Sequence, residues 1–210
     1  MRMVSLGRAC EVAFQIRMHS DKIDSDFFDW LITPFDGLMA ALRSNLDGLL
    51  EADELYLQND KNFVNNKKTG IQYGHVFMRD ESHNIPDNFL DDLPRVRDKF
   101  DYLRDKFFNN AKSDDPICFV RRDINSIQAK MLEEQLEAMF PSLDFKLACV
   151  NAEDVGLGDA KSPRIIDLRI VNGAHDGLGF PEPWAEALTG AGLTTKAFVK
   201  TKEDIVIPFH

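Results

Sequence analysis

The 210-residue sequence is short of cysteine, of long apolar runs and of positive charge, and each shortage narrows what the chain can be. Its three cysteines, Cys10, Cys118 and Cys149, lie far apart with no CxxC pair, so no disulfide framework or zinc knuckle is encoded. Such sparse, odd usage fits a reducing compartment, and the expected location is cytoplasmic. No apolar stretch approaches the roughly 20 residues a spanning helix needs. The opening MRMVSLGRACEVAF also lacks the apolar core and cleavage site of a secretory leader. Membrane insertion is therefore not expected. With 25 Lys+Arg against 35 Asp+Glu, the formal charge is −10. That sign repels phosphate backbones and excludes general nucleic-acid binding. A local pocket for one phosphate or carboxylate is still allowed, because short-range contacts outweigh a screened global field.

Motifs are scarce as well. The chain has no GxxxxGK[ST], GxSxG or HExxH pattern. Gly156-Leu157-Gly158 and Gly177-Leu178-Gly179 read as turn glycines, because neither follows a strand and opens a helix. No cofactor or metal is expected.

What is present is core-forming residue: 44% apolar, with sixteen Phe against three Tyr, enough for a single domain over 1–210. Met-Arg-Met-Val-Ser-Leu reads as a strand, Gly7 as a tight turn, and Cys10 as the start of a helix whose Val12, Ala13 and Ile16 share a face. FFDWLIT (27–33) is a short aromatic strand or buried turn closed by Pro34. Leu38, Leu42, Leu46 and Leu49 recur at helical spacing, with Asp36 as the cap. Glu54–Gln58 and Ile71–Phe77 read as strands flanking the polar turn NNKKTG. Phe89, Leu93, Val96, Phe100, Leu103 and Phe107 form one apolar stripe, with the helix opening at Pro86 or at Pro94. Asn125 caps a further helix whose buried side is read as Ile127, Met131, Leu132, Leu136 and Met139. Strands are expected at 117–120, 145–150 and 165–171, a short helix from Pro181 through Leu188, and a closing strand at 197–200.

Strands alternating with helices, several strands being wholly apolar, define an α/β fold. The expected architecture is a mainly parallel or mixed open sheet with helices on both faces, and the early hairpin forms a mixed edge. In such sheets ligands sit beyond the carboxyl ends of the strands. Cys10 follows the first strand, Arg121 and Arg122 follow the CFV strand, and Asn151 follows FKLACV. Asn172 and His175 follow the IIDLRIV run. Cys10 at a helix N-terminus would see the positive end of the dipole, which favours thiolate, and backbone N–H groups able to hold an oxyanion. Cys118 and Cys149, inside apolar strands, read as core. A thiol nucleophile needs a base. His75 ends a strand in YGHVF and His175 lies in a Gly-rich loop. Asp29, flanked by Phe28 and Trp30, could orient an imidazole or cap a neighbouring turn.

Several of these segments together resemble one bacterial domain family. SLGRACEVAFQIR resembles its Ser-Leu-Gly-x-x-Cys signature and the helix after it, carrying Ala, Gln and Arg. DFFDWLITPFDGL is similar to its Pro-Phe-Asp-Trp segment, with Phe27 in place of Pro, and YGHVF to its His-Asp-Phe element, with Val76 in place of Asp. RVRDKFDYLRDKF followed by ICFVRR resembles its basic helix and Phe-Val-Arg strand. The family has no established function and is labelled papain-like cysteine peptidase. Its company is bacterial surface-polysaccharide and glycosyltransferase systems. The likeness spans residues 3 to 123 and fades beyond. It implies Cys10 as nucleophile, His75 as base and Asp29 as third member. A papain-like fold would be α+β, with the cysteine helix on an antiparallel sheet, whereas the periodicity favours the α/β sandwich.

Two readings of function follow. The first is a cysteine-dependent hydrolase or acyl-transfer enzyme acting on a small-molecule, peptide or glycan substrate. The alternative is a carbohydrate-related transferase or nucleotide-sugar and anion-binding domain without covalent use of cysteine. In it Arg121 and Arg122, with Asn151 and His175 at the same sheet edge, would hold a phosphate or carboxylate.

Overall fold

The computed structural model describes residues 1–113, 115–152, 156–158, 162–170 and 178–194. Strand β1 (Arg2–Ser5) feeds helix α1 (Cys10–Met18). The chain then turns through 27–30 into β2 (Leu31–Ile32) and α2 (Phe35–Arg43). Three short strands follow, β3 (Leu55–Leu57), β4 (Val64–Asn66) and β5 (Gln72–Tyr73), and then α3 (Leu93–Ala111). The rest alternates: β6 (Ile117–Arg122), α4 (Ser126–Met139), β7 (Phe145–Ala152), β8 (Ile165–Ile170) and α5 (Pro181–Gly190).

Two sheets result. One is wholly parallel, in the order β1-β6-β7-β8; the other is antiparallel, in the order β2-β5-β4-β3. The fold is thus α/β as expected, with one correction. The early hairpin does not edge the parallel sheet but builds a second sheet, because β4, hidden in the sequence by its polar VNN, pairs with both β3 and β5.

The parallel sheet is covered on both faces, which is why β6 and β7 are apolar almost throughout. Val4, Phe119, Phe145 and Leu147 point into a core shared with α2, α3 and α4. Met3, Cys118, Val120 and Val150 point the other way, against Val12 and Ile16 of α1 and Trp184 and Leu188 of α5. The phenylalanine excess is spent in the first core. Phe107 stacks within 6.3 Å of Phe28, 6.1 Å of Phe119 and 5.8 Å of Phe140, so one ring joins α3 to the 27–30 turn, the sheet and the end of α4.

Helix boundaries follow their capping chemistry. α3 begins at Leu93 with Pro94 in its first turn, not at Pro86, and Phe89 lies in a 3-10 turn before it. Asn125 caps α4 through a reciprocal box, accepting the Gln128 N–H at 2.9 Å while Gln128 accepts its own at 3.1 Å. The buried stripe of α4 is Ala129, Leu132 and Leu136; Ile127 is 70% exposed and Met131 38%, which corrects the expected face. α2 stops at Arg43, and Leu46 and Leu49 reach the core from the loop after it. Asp36 lies in its first turn, with Pro34 at the cap position. The expected strand at 197–200 falls outside the described residues. Among those described, no helix is long and apolar enough to cross a membrane.

Truncating Phe107 to Ala removes the ring that joins four elements. Chemical denaturation should show a loss of about 3–5 kcal/mol; a loss below about 1 kcal/mol would mean that the ring cluster is not the keystone of this core.

Candidate functional site

The turn from β1 to α1 is unusual backbone. Gly7 (φ 76°) and Arg8 (φ 83°) are consecutive left-handed residues. A Cβ on Gly7 would sit 2.2 Å from the Thr33 hydroxyl oxygen, so only glycine fits against the end of β2. Arg8 has no such excuse. A non-glycine residue there costs about 1–3 kcal/mol, and such strain gathers at functional sites. Arg8 pairs at 3.1 Å with Asp123, another left-handed residue (φ 54°) just after β6.

This turn delivers Cys10 as the first residue of α1 at the carboxyl edge of the parallel sheet, with its side chain half-buried. Ala9 at the cap position supplies no side-chain acceptor, which leaves the first-turn N–H groups without a side-chain cap. The thiol is not preformed as thiolate. Burial pushes its pKa up to about 11, its own backbone N–H opposes this weakly, and the charge of Asp29 adds to the rise. The expectation of a depressed thiol is thus corrected: desolvation outweighs the helix terminus. Cys118 and Cys149 are core residues, fully buried and each pushed up to about 12.

Asp29 is fully buried in an ion cluster. It lies 3.1 Å from Lys22 Nζ and 3.6 Å from Arg17, and it accepts the Asp26 N–H at 2.9 Å, which closes the 26–29 turn. Lys22 also binds Asp26 at 2.7 Å, while Arg17 lies over the Trp30 ring at 4.9 Å. Burial raises the pKa of Asp29, with Lys22 pulling against it; Asp26 is held low because Lys22, Lys106 and Arg2 outweigh its burial. The turn-capping role of Asp29 is visible directly.

His75 follows β5. Burial lowers its pKa, and the Arg79 cation lowers it further, so the imidazole is neutral at pH 7 and able to accept a proton. The charge that acts on it is that of Arg79, whereas the charge that acts on Cys10 is that of Asp29. The β2–β5 pairing covers only Leu31 with Tyr73 and Ile32 with Gln72, and Asp29 lies in the turn before it.

The residues expected to hold an anion are otherwise engaged. Arg121 is 1% exposed and donates to the carbonyls of Leu6 at 2.9 Å and Thr33 at 2.7 Å. Burial lowers its pKa to about 10, so it remains a cation at neutral pH. Arg122 is bound to the Glu11 carboxylate. Asn151 clamps Ile124 from both sides, accepting its N–H and donating to its carbonyl, each at 2.9 Å. His175 and Asn172 lie outside the described residues. No group of three or more His, Cys, Asp or Glu side chains among those described could hold a metal ion.

Sequence reasoning missed Glu11 and Trp184, whose indole N–H donates to Glu11 at 3.1 Å. They are 173 residues apart, and no local spacing announces such a pair.

Fold and site together define the class: an open parallel α/β protein with a cysteine opening the helix that follows its first strand. The chain belongs to the family described as "Putative papain-like cysteine peptidase", whose model matches residues 1–154. No curated protein and no solved structure matches it.

Replacing Arg121 with Met keeps the length but leaves the Leu6 and Thr33 carbonyls unpaired. The expected cost is about 2–3 kcal/mol in urea unfolding, and a neutral outcome would show that the strut is dispensable.

Proposed function

We propose that the protein is a cysteine-dependent hydrolase or acyl-transfer enzyme in which Cys10 is the nucleophile, His75 the base and Asp29 the acid beside it. The observation that carries this reading is the placement of Cys10. It is a partly exposed thiol at the carboxyl edge of a parallel sheet, delivered by a strained turn to the start of a helix whose cap residue offers no side-chain acceptor. Family membership supports the same chemistry. Asp29 supports the grouping through its charge, which acts on Cys10.

A thiol held near pKa 11 does not attack as a standing thiolate. In the proposed step, the Sγ–H proton passes to neutral His75 as the Sγ–C bond forms at the substrate carbonyl. The oxyanion meets the first-turn N–H groups of α1. The imidazolium returns its proton to the leaving group as the carbon–leaving-group bond breaks. Water, deprotonated by the same imidazole, then cleaves the thioester and restores the thiol. The anion-binding alternative has less to work with, because Arg121 and Asn151 bind backbone groups and Arg122 binds Glu11.

A panel of acyl esters and amides, read by intact mass, should trap a thioester on Cys10. Cys10→Ala should abolish turnover, and His75→Ala should lower it by about 10²–10⁴-fold. Full turnover by Cys10→Ala would sink the reading.

A further inference from the structure

Helix α1 presents Glu11 and Gln15 four residues apart, hence on one face, and the segment 178–194 binds both of them and the carbonyl of the C-cap residue His19. Trp184 Nε1 donates to Glu11 at 3.1 Å, Gln15 donates to the Leu178 carbonyl at 2.6 Å, and Thr194 Oγ1 donates to the His19 carbonyl at 3.1 Å. Leu178 also packs on Phe14 and Met18. Gly179 comes so close that a Cβ there would lie 2.5 Å from Glu11 Oε1. Trp184 itself is fully buried, wedged among Met3, Val12, Ile16 and Val120, so its N–H has little freedom to turn elsewhere.

The same oxygen, Glu11 Oε1, accepts from Arg122 at the carboxyl end of β6. One carboxylate oxygen thus ties three elements together, and it belongs to the residue directly after Cys10. The segment that supplies Trp184 lies beyond residues 1–154, the span matched by the family model.

We infer that residues 178–194 complete the Cys10 site, and that the Arg122–Glu11–Trp184 bridge is a positioning device that fixes the Cys10 end of α1 and balances the charge beside it. This rests on Cys10 being the reacting group. Glu11 and Trp184 touch no substrate in this scheme; they act through Cys10. Nearby charges include Arg8 in the preceding turn, paired with Asp123, which also lies 3.6 Å from Arg122, and Asp29, whose charge acts on Cys10.

The bridge makes a prediction of sign that packing alone does not. Removing Glu11's charge takes one negative charge from the residue next to Cys10, with Arg122 still 3.6 Å from Asp123, and so favours thiolate. Removing Arg122's charge takes a positive charge from the same end of the helix while Glu11 keeps its bond from Trp184, and so disfavours it. The test is the rate of Cys10 alkylation by iodoacetamide across pH, read by mass spectrometry on the full chain, with circular dichroism confirming folding. At pH 8, Glu11→Gln should label roughly three- to tenfold faster than wild type and Arg122→Gln slower by a similar factor. The double variant should return to within about twofold of wild type, because the two charges cancel. Trp184→Phe keeps the bulk and removes the donor, and should slow labelling by a smaller factor than Arg122→Gln. Equal-direction changes in the two single variants, additive rather than cancelling effects, or unchanged labelling in Trp184→Phe would overturn the inference. This readout is the titration of a thiol and requires no turnover. Charge cancellation in a protein that acylates nothing would support the bridge while failing the hydrolase reading.

Discussion

The structure depends on the buried guanidinium of Arg121. It lies near the carboxyl end of β6, the strand beside β1, and spends two donors on the carbonyls of Leu6 and Thr33. Leu6 begins the turn that delivers Cys10, and Thr33 directly follows β2 of the antiparallel sheet. One side chain therefore fastens the two sheets together at the point where the candidate nucleophile enters its helix. Burying an arginine without a carboxylate partner is costly unless its N–H groups find good acceptors. Here they find carbonyls that strand geometry leaves over. The close approach this enforces explains Gly7, since the Thr33 side chain occupies the space that any Cβ would need.

A second buried charge set holds the other end of α1. Arg17 binds Asp29 and lies over Trp30, and Lys22 bridges Asp26 and Asp29, while Arg2 from β1 and Lys106 from α3 reach Asp26. The arginine of the signature helix and the acid and tryptophan of the FDW segment are thus partners in space. Their joint appearance in the sequence reflects this contact as much as any chemistry at Cys10. Asp29 serves both ends: it closes its own turn, neutralises cations and sends its field to the thiol.

How much of this the sequence disclosed depended on whether the cause was local. Parallel strands written as ICFV and FKLACV, the Phe-rich stripe of α3 and the Asn125 cap are local signals, and they placed the sheet, its flanking helices and Cys10 at the start of α1. The strand β4 was not legible, because VNN is buried by its partners rather than by its own hydrophobicity. The buried face of α4 was misjudged because Ile127 and Met131 are apolar yet exposed, and helical spacing alone does not choose between adjacent stripes. At the site, the edge position of Arg121, Arg122 and Asn151 was legible, but their engagement with Leu6, Thr33, Glu11 and Ile124 was not. Those partners come from distant parts of the chain, and no pattern of spacing encodes them. The thiol's environment failed for a related reason: a helix terminus is visible in a sequence, whereas the burial that outweighs it is a property of the packed whole.

Burial holds the half-buried Cys10 thiol protonated at rest, and the proposed chemistry therefore needs a base to deprotonate it. The most direct test is an NMR titration of the protein carrying ¹³Cβ-labelled cysteine, with Cys10 assigned by its Ser variant. The account predicts that the Cys10 signal begins to move only well above pH 9, toward a midpoint of about 11. A group with so high a value stays protonated through the neutral range, and thiolate accumulates only as pH rises through that midpoint. A Cys10 midpoint below the ordinary thiol value of about 8.5 would contradict it, because the thiolate would then be standing ready and the helix terminus, not burial, would govern the site.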